Sequence, residues 1–126
     1  MAWEFPLSTN TSIRLGTTDS IYVAEGVVVG TQGTAINGSG QSHIVEVYGT
    51  VISALDTITL GSITLSGSIS ISIGTSGHVI SKYSDGAGAS AIGLFGGGST
   101  VVNDGEIQST GYGIFFSNPT VTDANT

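Results

Sequence analysis

The chain has 126 residues, 20 of them glycine and none cysteine, and only two basic residues, Arg14 and Lys82, against nine acidic ones, for a net charge of −7. That balance excludes a phosphate-neutralising surface, so nucleic acid is not an expected partner, and it disfavours docking on an anionic membrane. The lack of cysteine excludes a disulfide framework, a thiolate metal site and a thiol nucleophile, and no stretch approaches the ~20 apolar residues of a membrane-spanning helix.

With 39% hydrophobic residues, rich in Val and Ile, the chain can bury a core, and its glycine content points to an all-β protein with many tight turns. The start, Met-Ala-Trp-Glu-Phe-Pro, shows no basic stretch followed by an apolar run, so no cleavable signal is read there. In residues 1–20, Trp3, Phe5 and Leu7 alternate with polar or turn residues, and Ile13 and Leu15 repeat the alternation. Two short strands are expected here, acting as an N-terminal cap on the segment from Ile21 onward.

In that segment a cassette recurs. Its first landmark is Gly-x-(Val/Ile): Gly26 with Val28, Gly49 with Val51, Gly77 with Val79, and Gly105 with Ile107. Its second is a small residue or Thr before Ile: Ala35-Ile36, Thr57-Ile58, Ala91-Ile92 and Gly113-Ile114. Two positions later stand Leu60, Leu94 and Phe116, with Gly38 in the first copy. A β-branched run precedes each landmark glycine. The basic unit is 22 or 23 residues, with about six extra residues twice, between Gly61 and Ser72 and between Ser81 and Ser90.

A period of this length is the mark of a solenoid. Three short strands with turns fill one unit, so the spacing predicts a right-handed parallel β-helix of about four coils over residues 21–116, with a tail at 117–126 in the same domain. A β-sandwich is the competing architecture.

In the first insertion, Ile63, Leu65, Gly67, Ile69, Ile71 and Ile73 alternate with Ser and Thr, which predicts a strand with one aliphatic and one hydroxyl face. A flat hydroxyl face suggests a glycan or ordered water, and Thr57-Ile58-Thr59 raises an ice-binding surface as a further reading. The second insertion is a turn-rich loop. It places Lys82 beside Tyr83 and Asp85, and these three are the candidate binding residues, because loops raised on a rigid scaffold often carry binding.

Chemistry is sparse. Glycoside hydrolysis needs two carboxylates about 5 to 9.5 Å apart, but Asp19, Glu25, Glu46, Asp56, Asp85, Asp104 and Glu106 do not share one cassette position. Only Glu25 and Asp104 coincide, each directly before a landmark glycine, in the first and last coils. His43 and His78 fall at different cassette positions and lack a third ligand. Neither a nucleophile elbow nor a phosphate-cradling loop occurs; Gly96-Gly97-Gly98-Ser99-Thr100 lacks the Lys of such a loop. No catalytic residue, metal site or cofactor is assigned.

The stretch Ser99-Thr100-Val101-Val102-Asn103-Asp104-Gly105-Glu106-Ile107, followed by Gly111-Tyr112-Gly113-Ile114-Phe115-Phe116, resembles the repeats of secreted bacterial β-helix proteins. Among these are autotransporter passengers and alphaproteobacterial exoproteins with calcium-binding nonapeptide repeats. The resemblance implies the fold and an extracellular or cell-surface habit within a longer exported protein. The expected function is a non-enzymatic structural or interaction module: a stalk, an adhesive surface or an assembly unit. The alternative is a carbohydrate-binding or carbohydrate-cleaving module. A glycan or protein partner, and self-association through the solenoid ends, are the interactions left open.

Overall fold

The computed structural model describes residues 2–82, 89–117 and 124–125, without the side chains of 64–66, 117, 124 and 125. Among the described residues there is no helix, and every strand pairing is parallel, which excludes the sandwich. The chain winds as a β-solenoid. A leading turn contributes β1 (Trp3–Glu4) and β2 (Ile13–Arg14). The first full coil holds β3 (Ser20–Val23), β4 (Val28–Thr31) and β5 (Ile36–Gly38), and the second β6 (Ile44–Val47), β7 (Thr50–Ser53) and β8 (Ile58–Ser66). The third holds β9 (Ser70–Ile73), β10 (His78–Ser81) and β11 (Ser90–Gly97), and the fourth β12 (Thr100–Asn103), β13 (Glu106–Ser109) and β14 (Tyr112–Ser117). A last short strand, β15 (Ala124–Asn125), lies beside β12.

Stacking the coils makes three sheets, ordered β1-β3-β6-β9-β12-β15, β4-β7-β10-β13 and β2-β5-β8-β11-β14. Because side chains alternate across a strand, one set per strand points inward and stacks on its counterpart in the next coil. The inward ladders are aliphatic. Ile21, Val45, Ile71 and Val101 form one; Val29, Val51 and Val79 a second; and Ile36, Ile58 and Ile92 a third, all buried. The second landmark of the cassette is therefore interior in every coil, and Ile114 continues it in the last.

The first landmark holds in three coils and slips in one. Val51, Val79 and Ile107 align, but their partner in the first coil is Val29, and Val28 is exposed. The reason lies in the corner glycines. A Cβ on Gly49, Gly77 or Gly105 would collide with carbonyl oxygens of the preceding coil, so these glycines recur because the backbones approach closely. Gly26 meets nothing within 4 Å and adopts a φ of +86°, so it serves a turn. With the register corrected, Asp104 directly follows Asn103 in the row of Ile73, Val47 and Val23, and Glu25 does not share its place.

The N-terminal segment follows the path of a coil, with no hairpin. Trp3 pairs with Ser20, Thr9 bridges Val29, and Ile13 pairs with Ile36, all in parallel. The expected cap is thus a short-stranded leading turn, in which Leu15 is buried while Phe5 and Leu7 are exposed.

The first insertion also differs from expectation. Its alternating run is not one strand: β8 ends at Ser66, a corner follows at Gly67, and β9 begins at Ser70. Opposite β11, Gly61 pairs with Phe95 and Ser66 with Gly97, so residues 62–65 bulge outward. Ile63 is 63% exposed as a result, while Ile69, Ile71 and Ile73 point inward. Alternation alone cannot report a corner, because the inward phase resumes after it.

Candidate functional site

His43 and several of the Ser and Thr hydroxyls are tied into the scaffold. His43 is fully buried at the corner before β6. Its Nε2 accepts the Gly40 amide at 3.0 Å and its Nδ1 faces the Asp19 carbonyl oxygen, which assigns the proton to Nδ1. The ring fills the space that Gly38 leaves in the row of Leu60 and Leu94; a Cβ at Gly38 would lie 2.7 Å from Nε2. It is a packing histidine with satisfied nitrogens.

A hydroxyl ladder runs down the end of the second sheet. Thr31, Ser53, Ser81 and Ser109 stack in register. Each donates to a carbonyl at the corner it faces: Thr31 to Gly33 at 2.8 Å, Ser53 and Ser81 to Leu55 at 2.9 and 2.7 Å, and Ser109 to Ala89 at 3.1 Å. Thr57 joins them, buried, donating to Ile80 O at 2.8 Å. Thr57-Ile58-Thr59 therefore presents no surface pair of threonines, and the ice-binding reading loses its residues. The hydroxyl face expected from the first insertion is split by the corner at Gly67.

His78 and Glu106 are neighbours across β10 and β13, with Nδ1 and Oε1 2.9 Å apart on the outer face and both about half exposed. Among the described residues no three His, Asp or Glu side chains converge as metal ligands, and no helix is long and apolar enough to cross a membrane.

Of the three candidate binding residues, Lys82 is exposed just after β10, and its amide donates to Ser53 O at 2.8 Å. It borders a shallow depression of about 210 Å³ together with Thr31, Gln32, Ile52 and Ala54. Tyr83 and Asp85 lie outside the described residues.

Among the described residues two aromatic clusters stand on the outside. On the first sheet Trp3, Phe5, Tyr22 and Tyr48 run along the solenoid, with centroids 6.3, 6.1 and 5.3 Å apart in that order. The Tyr48 ring covers Gly74 of the next coil. Contacts between rings of successive turns act as an external staple across coils. On the third sheet Phe115 lies 6.5 Å from Phe95 and 5.5 Å from Tyr112. These three rings wall a slot of about 160 Å³, completed by Gly93, Asp56 and Ser90. Asp56 is held in place by the Ser90 amide, which donates to Oδ1 at 2.6 Å. Neither the slot nor the hydroxyl ladder was read from the sequence. The ladder's signal was present, as Ser or Thr two residues after each inward Val or Ile. The slot's was not, since Asp56 and Phe115 lie two coils apart.

In comparisons with known proteins, the chain matches no family model, no curated protein and no solved structure.

Proposed function

We propose that this chain is a non-enzymatic β-solenoid module of a secreted or cell-surface bacterial protein, a rigid stalk that presents an interaction surface. One observation carries the reading: strand pairing stays in parallel register from the leading turn through the fourth coil, around continuous aliphatic ladders. Such stacking transmits load along the axis and fixes whatever its outer faces display. The burial of His43 and the hydrogen bonds that the Thr31, Ser53, Thr57, Ser81 and Ser109 hydroxyls donate to backbone carbonyls favour scaffold over catalysis.

The test is incubation of the chain with pectin, xylan, alginate and chitin, scored for new reducing ends and unsaturated products. None is expected. Product formation abolished by Asp56→Asn or by Glu106→Gln would overturn the reading. The extracellular part of the proposal is checked by protease treatment of intact producing cells, which should remove the chain without lysis.

Assembly belongs to the same reading. No described strand lies beyond β13 and β14, and Ile107, Ile114 and Phe116 are only partly buried in that coil. Light scattering over a concentration series should detect association; a monomer at every concentration would remove this role.

A further inference from the structure

We infer that the slot on the outer face of the third sheet binds a single neutral pyranose ring, stacked on aromatic faces and hydrogen-bonded by Asp56. The inference gives the display surface proposed above a ligand class, and it rests on that reading only for the absence of turnover. Its floor is Gly93, which pairs with Thr59 on one side and Phe115 on the other. A Cβ built on Gly93 would meet Phe95 at 3.6 Å and the Thr59 hydroxyl at 4.0 Å, both ordinary contacts. Packing therefore does not demand a glycine there. Gly93 is buried at the bottom of the slot, and it puts no side chain into it.

The walls are apolar and accessible: Tyr112 is 54% and Phe115 38% exposed. One edge carries a carboxylate whose position is fixed by the Ser90 amide, and a carboxylate can accept several more hydrogen bonds than that one. Apolar walls with one oriented acceptor suit a molecule with a C–H face and hydroxyl donors at its rim, which describes a sugar ring. A volume of about 160 Å³ holds one ring and no more. The charge of Asp56, on a chain of net charge −7, disfavours uronic acids and other anionic sugars.

The test is a ¹⁵N–¹H NMR titration of the full chain with the methyl glycosides of glucose, galactose and mannose, with methyl galacturonide as the anionic control. A small open site implies affinity of the order of millimolar. Saturable shifts are expected at the Gly93, Tyr112 and Phe115 amides for at least one neutral glycoside, and the uronide should bind at least ~tenfold more weakly. Gly93→Ala keeps the contacts of the fold while filling the floor; it should weaken binding by roughly tenfold or more, with a melting midpoint that is unchanged or raised. Tyr112→Ala should weaken binding roughly two- to tenfold. No shift with any neutral glycoside up to roughly 100 mM, far above that affinity range, would overturn the inference. So would equal binding of the uronide, or shifts confined to the Trp3–Tyr48 strip. Product formation during the titration would refute the non-enzymatic reading and leave the slot standing. Absent binding without turnover would remove the slot and leave the stalk.

Discussion

At the scale of single residues, glycine plays two separate parts that substitution can tell apart. Gly26 and Gly61 both sit at positive φ, +86° and +93°, but only Gly61 is hemmed in, with the Phe95 carbonyl oxygen where its Cβ would go. Gly26→Ala should therefore cost only conformational strain, about 1–2 kcal/mol. Gly61→Ala adds a backbone collision and should cost about 3 kcal/mol or more, both read from urea unfolding. His43 carries a different dependence. Replacing it by Ala would empty the space beside Gly38 and strand the buried Gly40 amide, for a loss of about 2–4 kcal/mol in the same measurement. This role was within reach of the sequence: Gly38 stands where other copies have Leu or Phe, and a large residue had to come from elsewhere to fill the row. The His78–Glu106 pair is half exposed, so Glu106→Gln should change stability by less than about 0.5 kcal/mol.

At the scale of the element, burial decides which aliphatic residues matter, and sequence alternation reports it only within one strand. Ile58 is fully buried in the ladder between Ile36 and Ile92, whereas Ile63, five residues on, is exposed on the bulge. Ile58→Ala should cost about 2–5 kcal/mol and Ile63→Ser no more than about 0.5 kcal/mol, again by denaturant titration. The repeating Ile of the second landmark was legible because its inward direction is the same in every coil. The Gly26 landmark misled because Val27 stands directly before β4, in the place that Gly49, Gly77 and Gly105 take before β7, β10 and β13, and Gly26 lies one residue earlier. A glycine needed for its φ and one needed for close approach look alike in sequence. The bulge at 62–65 was hidden for a related reason, since a period of two continues in phase across the corner at Gly67.

At the scale of the whole molecule, the solenoid places residues together that are far apart in the chain. Its outer rows, such as Val28, Thr50, His78 and Glu106, are set by coil register, and so is the slot that joins Asp56 to Phe115. The fold was legible because each coil repeats its inward residues. The slot was not, because its residues occur once each, and only the stacking brings them together. All the functional geometry therefore stands on the parallel register. The absence of cysteine makes that register directly measurable by engineered disulfides. Neighbouring parallel strands hold paired Cα atoms about 4.8 Å apart, inside the range of about 4.4–6.8 Å that a disulfide needs. Thr50→Cys combined with His78→Cys joins outward-facing partners of β7 and β10. Mild oxidation of the native double variant should close this disulfide completely and without loss of structure; free thiols persisting in the folded protein would contradict the coil stack.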